Sequence, residues 1–315
     1  MTFFPDSFTI KAGFSERTLC MLRILTYNIL IGGTERLEQL TTLIRSTQPD
    51  IVGLAEATDA NVVVELAKRL HMQFRLTGEG VRKRDWHVAL LSRLPIIEST
   101  IHRRPEIFTR RHFLEVTVEG SDGKPLTLYV VHLTSEARNG KRSVLVRRAE
   151  TRELLNTMTQ HKGTPHLVMG DFNSIAPNDT FQASKLARHY IHRFEHNRTG
   201  GASLHIGQRV LRTAVRTLVN SRGGGYLLDT IGPNYGKGGI DLLLNTGYVD
   251  CFRQLHPHEY GYTFSASIPS LRIDYVFASP ELAPSLVSCA VITAGDGVSG
   301  EQASDHLPVL AEFDR

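Results

Sequence analysis

Short apolar runs that stop at a polar residue punctuate this chain, and between them apolar positions recur every three or four residues. Leu22-Arg23-Ile24-Leu25-Thr26-Tyr27-Asn28-Ile29, Ile51-Val52-Gly53-Leu54-Ala55, Val88-Ala89-Leu90-Leu91-Ser92, Phe113 to Val118 and Thr127-Leu128-Tyr129-Val130-Val131-His132 have the length and β-branched content of strands. A run beginning near Leu167 and ending at Asp171 is of the same kind, and Arg272 to Ala278, Leu286 to Thr293 and Leu307 to Phe313 follow. Glu35 to Thr47 sets Leu37, Leu40, Leu43 and Ile44 on one helical face before Pro49-Asp50 stops it. Asn61 to His71 is a second helix. Val144 to Thr159 is a third, whose Arg147, Arg148 and Arg152 are balanced by Glu150 and Glu153 and by Glu136 just before it, the composition of a solvated face. This alternation predicts a mixed α/β fold with helices covering two sheets, and no repeat of 20–50 residues is visible.

The informative positions are the polar ones at the ends of the apolar runs. Asn28, Glu56, His132, Asp171, Asn173, Asp274 and the triplet Ser304-Asp305-His306 all fall there. Side chains alternate along a strand, so Asp171 and Asn173 share a side while Phe172 turns into packing. A buried carboxylate costs several kcal/mol unless a cation or donor meets it. Strand ends that converge on one rim would let these groups satisfy one another and a divalent metal.

Six short motifs occur in order: Thr26-Tyr27-Asn28, Gly53-Leu54-Ala55-Glu56, Val131-His132, Gly170-Asp171-Phe172-Asn173, Arg272-Ile273-Asp274-Tyr275 and Ser304-Asp305-His306. Through them the chain resembles the endonuclease/exonuclease/phosphatase superfamily, which includes DNase I, exonuclease III-type repair nucleases, deadenylases, neutral sphingomyelinases and inositol polyphosphate 5-phosphatases. The resemblance runs from about residue 22 to the end. It implies a four-layered α/β sandwich, two mixed, mainly antiparallel sheets face to face with helices outside, and Mg²⁺-dependent attack of water on a phosphoester, with Mn²⁺ as a substitute. It also implies roles. Glu56 would hold the metal, with Asn28 and Asp305 nearby. His306, its other ring nitrogen bonded to Asp274, would sit against the phosphate as base or cation. Asp171 would orient or deprotonate the water, Asn173 would stabilise the transition state, and His132 would contact a phosphate oxygen or assist the leaving group. Two departures stand out: Ala55 replaces the glutamine usual before the metal glutamate, and His132 lacks an evident carboxylate partner, Asp85 being a candidate. His132 and Tyr262-Thr263-Phe264 also differ from the usual AP endonuclease pattern.

Charge adds one more feature. The 315 residues carry a formal +4, yet residues 178–240 hold nine Lys/Arg against three acids, more positive charge than the whole chain. Within this insertion Gln208 to Val219 reads as an amphipathic helix with Arg209, Arg212 and Arg216 largely on its polar face. It is either a solvated helix or an electropositive wall for substrate, with Tyr190, Phe194 or Tyr226 for base stacking; contact with anionic lipid is a third reading. Gly223-Gly224-Gly225 and Gly236-Lys237-Gly238-Gly239 mark mobile loops.

These features predict a loose leader over residues 1–20 and one domain over 21–315. The expected function is nucleic-acid phosphodiester hydrolysis. The alternatives are a phosphomonoesterase or a phospholipase C-like phosphodiesterase acting on an inositol phosphate, nucleotide or phospholipid, and a non-catalytic binding module. Cys20, Cys251 and Cys289 lack metal-ligand spacing and read as free thiols, no run approaches the roughly 20 apolar residues of a membrane span, and a cytoplasmic monomer is expected.

Overall fold

Period-two alternation sorts the side chains of each strand into two different cores. The computed structural model describes residues 21–78, 87–103, 112–120, 122–135, 142–196, 217, 220–236 and 238–314. Its strands are β1 (Met21–Asn28), β2 (Ile51–Ala55), β3 (Gln73–Leu76), β4 (Val88–Ser92), β5 (Ile96–His102), β6 (Phe113–Glu119), β7 (Pro125–His132), β8 (His166–Asp171), β9 (Val249–Asp250), β10 (Asp274–Ala278), β11 (Leu286–Val291), β12 (Ala294–Gly295), β13 (Val298–Ser299) and β14 (Val309–Asp314). One six-stranded sheet runs β11-β14-β1-β2-β4-β3 and the other β5-β6-β7-β8-β10-β9. Each is mixed, with one parallel pair at its centre, β1 with β2 and β7 with β8, and antiparallel neighbours on either side.

Leu22 and Ile24 of β1, Leu128 and Val130 of β7, Leu167 and Met169 of β8, and Val276 and Ala278 of β10 form one apolar layer between the sheets. The odd members of β1, Leu25 and Tyr27, join Leu40, Leu43 and Ile44 of helix α1 (Leu37–Ser46) and Val63 and Leu66 of α2 (Ala60–Leu70) on the outer face. On the far side Tyr129, Val168, Phe172 and Phe277 meet Leu154 and Met158 of α3 (Arg142–Met158). The result is the expected four-layered α/β sandwich. Among the described residues no helix is long and apolar enough to cross a membrane.

The two longest strands that the hydrophobic pattern omits, β3 and β5, are edge strands. Gln73 and Arg75 are exposed, as are Ile97, Glu98, Ser99 and Thr100, so neither strand carries a continuous apolar run. Helix α1 starts two residues later than expected, after a 3₁₀ segment, Ile31–Arg36, in which Gly32 and Gly33 take positive φ.

In the basic insertion, Gly223-Gly224-Gly225 is not a loop. These glycines lie in α5 (Arg222–Gly236), whose start is capped by Ser221 Oγ accepting the Gly224 N–H at 3.0 Å. Asp229 of α5 in turn accepts the Ser184 N–H at 2.7 Å and its hydroxyl at 2.9 Å at the start of α4 (Ala183–His196). A cap and a packed neighbour override the low helix propensity of glycine.

A buried ionic knot holds the end of β10. Arg272 is 1% exposed, donates to Asp250 at 2.8 and 2.6 Å and to Asp179 at 2.8 Å, and lies 4.5 Å from the Tyr275 ring centroid. Tyr275 Oη accepts the Ala176 N–H at 3.0 Å, fixing the segment after Asn173. Because removing Arg272 takes the cation from buried Asp250 and leaves Asp179 to the part-exposed Arg253, Arg272→Ala is expected to lower the unfolding free energy by roughly 3–5 kcal/mol, measured by urea denaturation.

Candidate active site

Strand register sets polar side chains side by side at one end of the sandwich. In β1 the residues Leu22 and Ile24 face the inter-sheet layer, so Asn28 does too; the same parity carries Leu128 and Val130 to His132, Leu167 and Met169 to Asp171, and Val276 and Ala278 to Asp274. His132 pairs with Asp171, and Asp171 with Asp274, across adjacent strands. All four are buried.

The two sheets meet at this rim. Asn28 Nδ2 donates to Asp171 Oδ2 at 2.9 Å and lies 3.4 Å from both Glu56 Oε1 and His306 Nε2. Asp171 Oδ1 accepts the Asn173 N–H at 2.8 Å, and its Oδ2 stands 3.4 Å from His132 Nε2 and 4.0 Å from His306 Nε2. Asp171 is therefore the hub of the site. For His132, the nearby carboxylate is thus Asp171; Asp85 lies outside the described residues.

Backbone geometry delivers several of these groups. Gly170 has φ +141°, and a Cβ there would fall 1.9 Å from the Val131 carbonyl oxygen, so the close approach of β7 and β8 beside the site requires glycine. Glu56 and Asn173 take left-handed φ of 58° and 47°, conformations that cost most residues about 1–3 kcal/mol. Glu56 is held there by the Ile31 N–H, which donates to its Oε2 at 2.7 Å; Asn173 Nδ2 donates to the Leu133 carbonyl at 3.1 Å.

His306 is fixed from both sides. Its Nδ1 lies 2.9 Å from Asp274 Oδ2, and Phe264 packs on the ring with centroids 4.9 Å apart. Burial alone would push the imidazole pKa down, but the Asp274 carboxylate, with Asp171 and Asp305 further out, outweighs it and holds the ring up at about 10. Thr263 Oγ1 accepts the Asp274 N–H at 3.3 Å, and Ser304 Oγ donates to the Asn28 carbonyl at 2.7 Å, tying the His306 segment to β1. Thr263, the middle of Tyr262-Thr263-Phe264, thus supports Asp274 through a contact that the sequence pattern does not announce.

Two carboxylate oxygens, Asp274 Oδ1 and Asp305 Oδ1, are buried without a donor among the described residues. Carboxylate oxygens of this kind are the ligand type that suits a hard divalent cation. Asp171, Asp274 and His306 also place one ligand atom each within 4.8 Å of one another, a group that could hold a metal ion.

The charged helix α3 departs from its expected solvated face. Arg147 and Glu150 are 0% and 1% exposed. Glu150 accepts the Thr134 N–H at 2.9 Å and its hydroxyl at 2.8 Å, and Arg147 Nη1 donates to the Thr134 carbonyl at 3.1 Å. The segment leaving β7 after His132 has lost its strand partners, and these side chains supply them. Arg148, paired with Asp241 at 2.7 Å, and the exposed Arg152 and Glu153 match the surface reading, and Glu136 lies outside the described residues. Arg209, Arg212 and Arg216 lie outside the described residues, as do the side chains of Tyr190 and Phe194; Tyr226 is 75% exposed on α5.

Since the folded His306 pKa lies above the unfolded one, its stabilising charge is fully present below pH about 6.5 and is lost as pH rises through about 10. Imidazole NMR of EDTA-treated protein is expected to show His306 still protonated at pH 8, and deprotonated there in Asp274→Asn.

The fold resembles that of an AP endonuclease from Archaeoglobus fulgidus, with TM-score 0.63 and 19% identity over 93% of this chain and 100% of that one. It also resembles the 3′ phosphatase NExo from Neisseria bound to a product DNA hairpin, with TM-score 0.60 and 22% identity over 93% and 100%. A third likeness is TDP2 from D. rerio complexed with a single-strand DNA product, with TM-score 0.59 and 19% identity over 94% and 99%. At such identities the likeness is one of fold. No curated protein matches the chain. The profile of the endonuclease/exonuclease/phosphatase family, hydrolases acting on phosphate esters, matches residues 25–306, and the chain belongs to that family.

Proposed function

We propose that this protein is a Mg²⁺-dependent phosphoesterase that hydrolyses phosphodiester bonds in nucleic acid by in-line attack of water. The observation that carries the reading is the convergence of donors on Asp171: Asn28 from one sheet, the Asn173 N–H from its own, and two imidazoles within 4.0 Å. Such a carboxylate is oriented to align a water and take its proton.

Glu56 and Asp305, with Asn28, would hold the Mg²⁺, or Mn²⁺ in its place, whose chemistry is charge neutralisation on the phosphate and the departing oxygen. We place the cation there rather than among Asp171, Asp274 and His306 because an all-oxygen ligand set suits Mg²⁺ and an imidazole does not. His306 then faces the phosphate with Nε2, and Asp274 behind it favours a cationic donor over a base. Asn173 spends one amide hydrogen on Leu133 and has a second for a phosphate oxygen in the transition state. His132, beside Asp171, contacts another phosphate oxygen or assists the leaving group.

Nucleic acid is favoured because two proteins of similar fold are described with DNA products. The basic charge of residues 178–240 fits the same polyanion. A second reading, removal of a phosphate monoester from a nucleic-acid end, is supported by the 3′ phosphatase among those neighbours. The lipid, inositol phosphate and binding-module readings have no comparable support.

The test is an activity panel of bis-p-nitrophenyl phosphate, single- and double-stranded DNA, RNA, DNA ending in a 3′-phosphate and inositol phosphates. Hydrolysis is expected with Mg²⁺ and not with EDTA. Asp171→Asn and His306→Ala are each expected to reduce kcat by about 10²–10⁴ with near-UV circular dichroism intact. Hydrolysis of none of these substrates would overturn the enzyme reading. For the insertion, neutralising Arg209, Arg212 and Arg216 together is expected to reduce the slope of log Kd against log salt for DNA by about 3; an unchanged slope would make those arginines solvated surface.

A further inference from the structure

At the end of the sandwich away from the catalytic rim lies a cavity of about 520 Å³. Strand β8 runs between the two: His166, its first residue, lines the cavity, and Asp171, its last, stands in the site, about 17 Å further on at ~3.3 Å per residue. Other walls come from Leu155 and Met158 of α3, from Tyr248 just before β9 and from Pro280 shortly after β10. The volume falls within the roughly 300–1,000 Å³ of small-molecule sites.

The polar groups of the floor are saturated by one another. His166 Nδ1 lies 2.8 Å from the Thr164 carbonyl, which can only accept, so this nitrogen carries the proton and donates. Nε2 is then an acceptor, and Tyr248 Oη donates to it at 2.6 Å. Burial pushes the imidazole pKa below its usual value, which keeps the ring neutral in that tautomer. Each of these polar hydrogens is spent inside the protein. What the floor offers a guest is the Met158 thioether and the rings of Tyr248 and His166, which meet edge-on with centroids 5.5 Å apart. Sulfur and ring edges of this kind suit an aromatic ring.

The mouth has the opposite character. Arg152 and Lys162 line it, both exposed, and neither side chain has a hydrogen-bond or ion-pair partner among the described residues. Glu281, the carboxylate of the lining, turns its Oε1 to the Gly163 N–H at 3.1 Å. Two cations against one carboxylate leave the mouth positive. A cationic guest would be repelled there, and a purely apolar one would leave both cations unused. A ring bearing an acidic group meets the floor and the mouth together.

We propose that this cavity is a second binding site, separate from the catalytic rim, for a planar aromatic anion: the ring system lies on Met158 and Tyr248, and its acidic group meets Arg152 and Lys162. The site uses no residue of the rim and no metal, so it stands or falls apart from the phosphoesterase reading.

The test titrates 2-naphthoate, and its neutral isostere 2-naphthamide, into the full chain carrying isotope-labelled methionine methyl groups, at low salt so that the exposed cations are little screened. The Met158 signal is assigned from Met158→Leu. In the wild-type protein 2-naphthoate is expected to shift the Met158 methyl through its ring current with a Kd of about 1 mM or below, the affinity of a ligand this small at ordinary efficiency. EDTA is expected to leave that Kd unchanged. Arg152→Ala and Lys162→Ala, both at exposed positions, are each expected to weaken 2-naphthoate about threefold to tenfold while changing 2-naphthamide by less than about twofold. No shift of Met158 at about 5 mM 2-naphthoate would overturn the site. So would a Kd that neither substitution changes, a loss of equal size for the acid and the amide, or a shift that EDTA abolishes, which would put the ligand on a metal at the rim. None of these outcomes bears on hydrolysis of phosphate esters.

Discussion

The hydrogen bond from Asn28 to Asp171 spans the two sheets at their common rim, and the candidate chemistry depends on it. Each partner ends the inward-facing row of a central strand, so both arrive at the rim through the packing of leucine, isoleucine, valine and methionine below them. Burying such polar groups is tolerable only because they meet. The apolar layer brings the strands together, and the polar ends then satisfy one another. His132 and Asp274 occupy neighbouring positions in the same row, which is why a site with residues from six separate motifs can be compact.

The positions that were legible in the chain are those where one apolar run ends abruptly. Asn28, His132, Asp171 and Asp274 were placed correctly at strand ends because period-two alternation is a local property and the rim reuses it. Gly170 signalled a tight approach, and the 1.9 Å clash of a Cβ there with Val131 gives the reason. Where the determinant is tertiary, the reading fails. Arg147 and Glu150 look like any charged helical pair, and only the stranded backbone polar groups of Thr134 explain their burial. Edge strands β3 and β5 lack a continuous apolar run because one side of each faces water. Thr263, whose hydroxyl accepts the Ile273 and Asp274 N–H groups, and Ser221, which caps α5, matter through hydrogen bonds that no spacing announces.

Charge is divided between two tasks. In the interior, Arg272 with Asp179 and Asp250 acts as a structural brace, fully buried and remote from any substrate role. Around the rim, acidic groups dominate and the described cations are few: Arg36 is committed to backbone carbonyls, and His306 is bonded to Asp274. A polyanionic substrate would approach this acidic centre only with help from a metal ion and from positive charge elsewhere. The insertion supplies positive charge, and its helix α4 is joined to the loop over His306.

The Asn28 to Asp171 contact also makes catalysis a cooperative property of tertiary structure. Neither sheet alone contains a complete set: Asn28 and Glu56 belong to one, His132, Asp171 and Asp274 to the other. A partly disordered state that retained both sheets but loosened the layer between them would keep its far-ultraviolet spectrum and lose the site altogether. Activity would therefore report on the mutual alignment of the sheets, and would disappear before the secondary structure did.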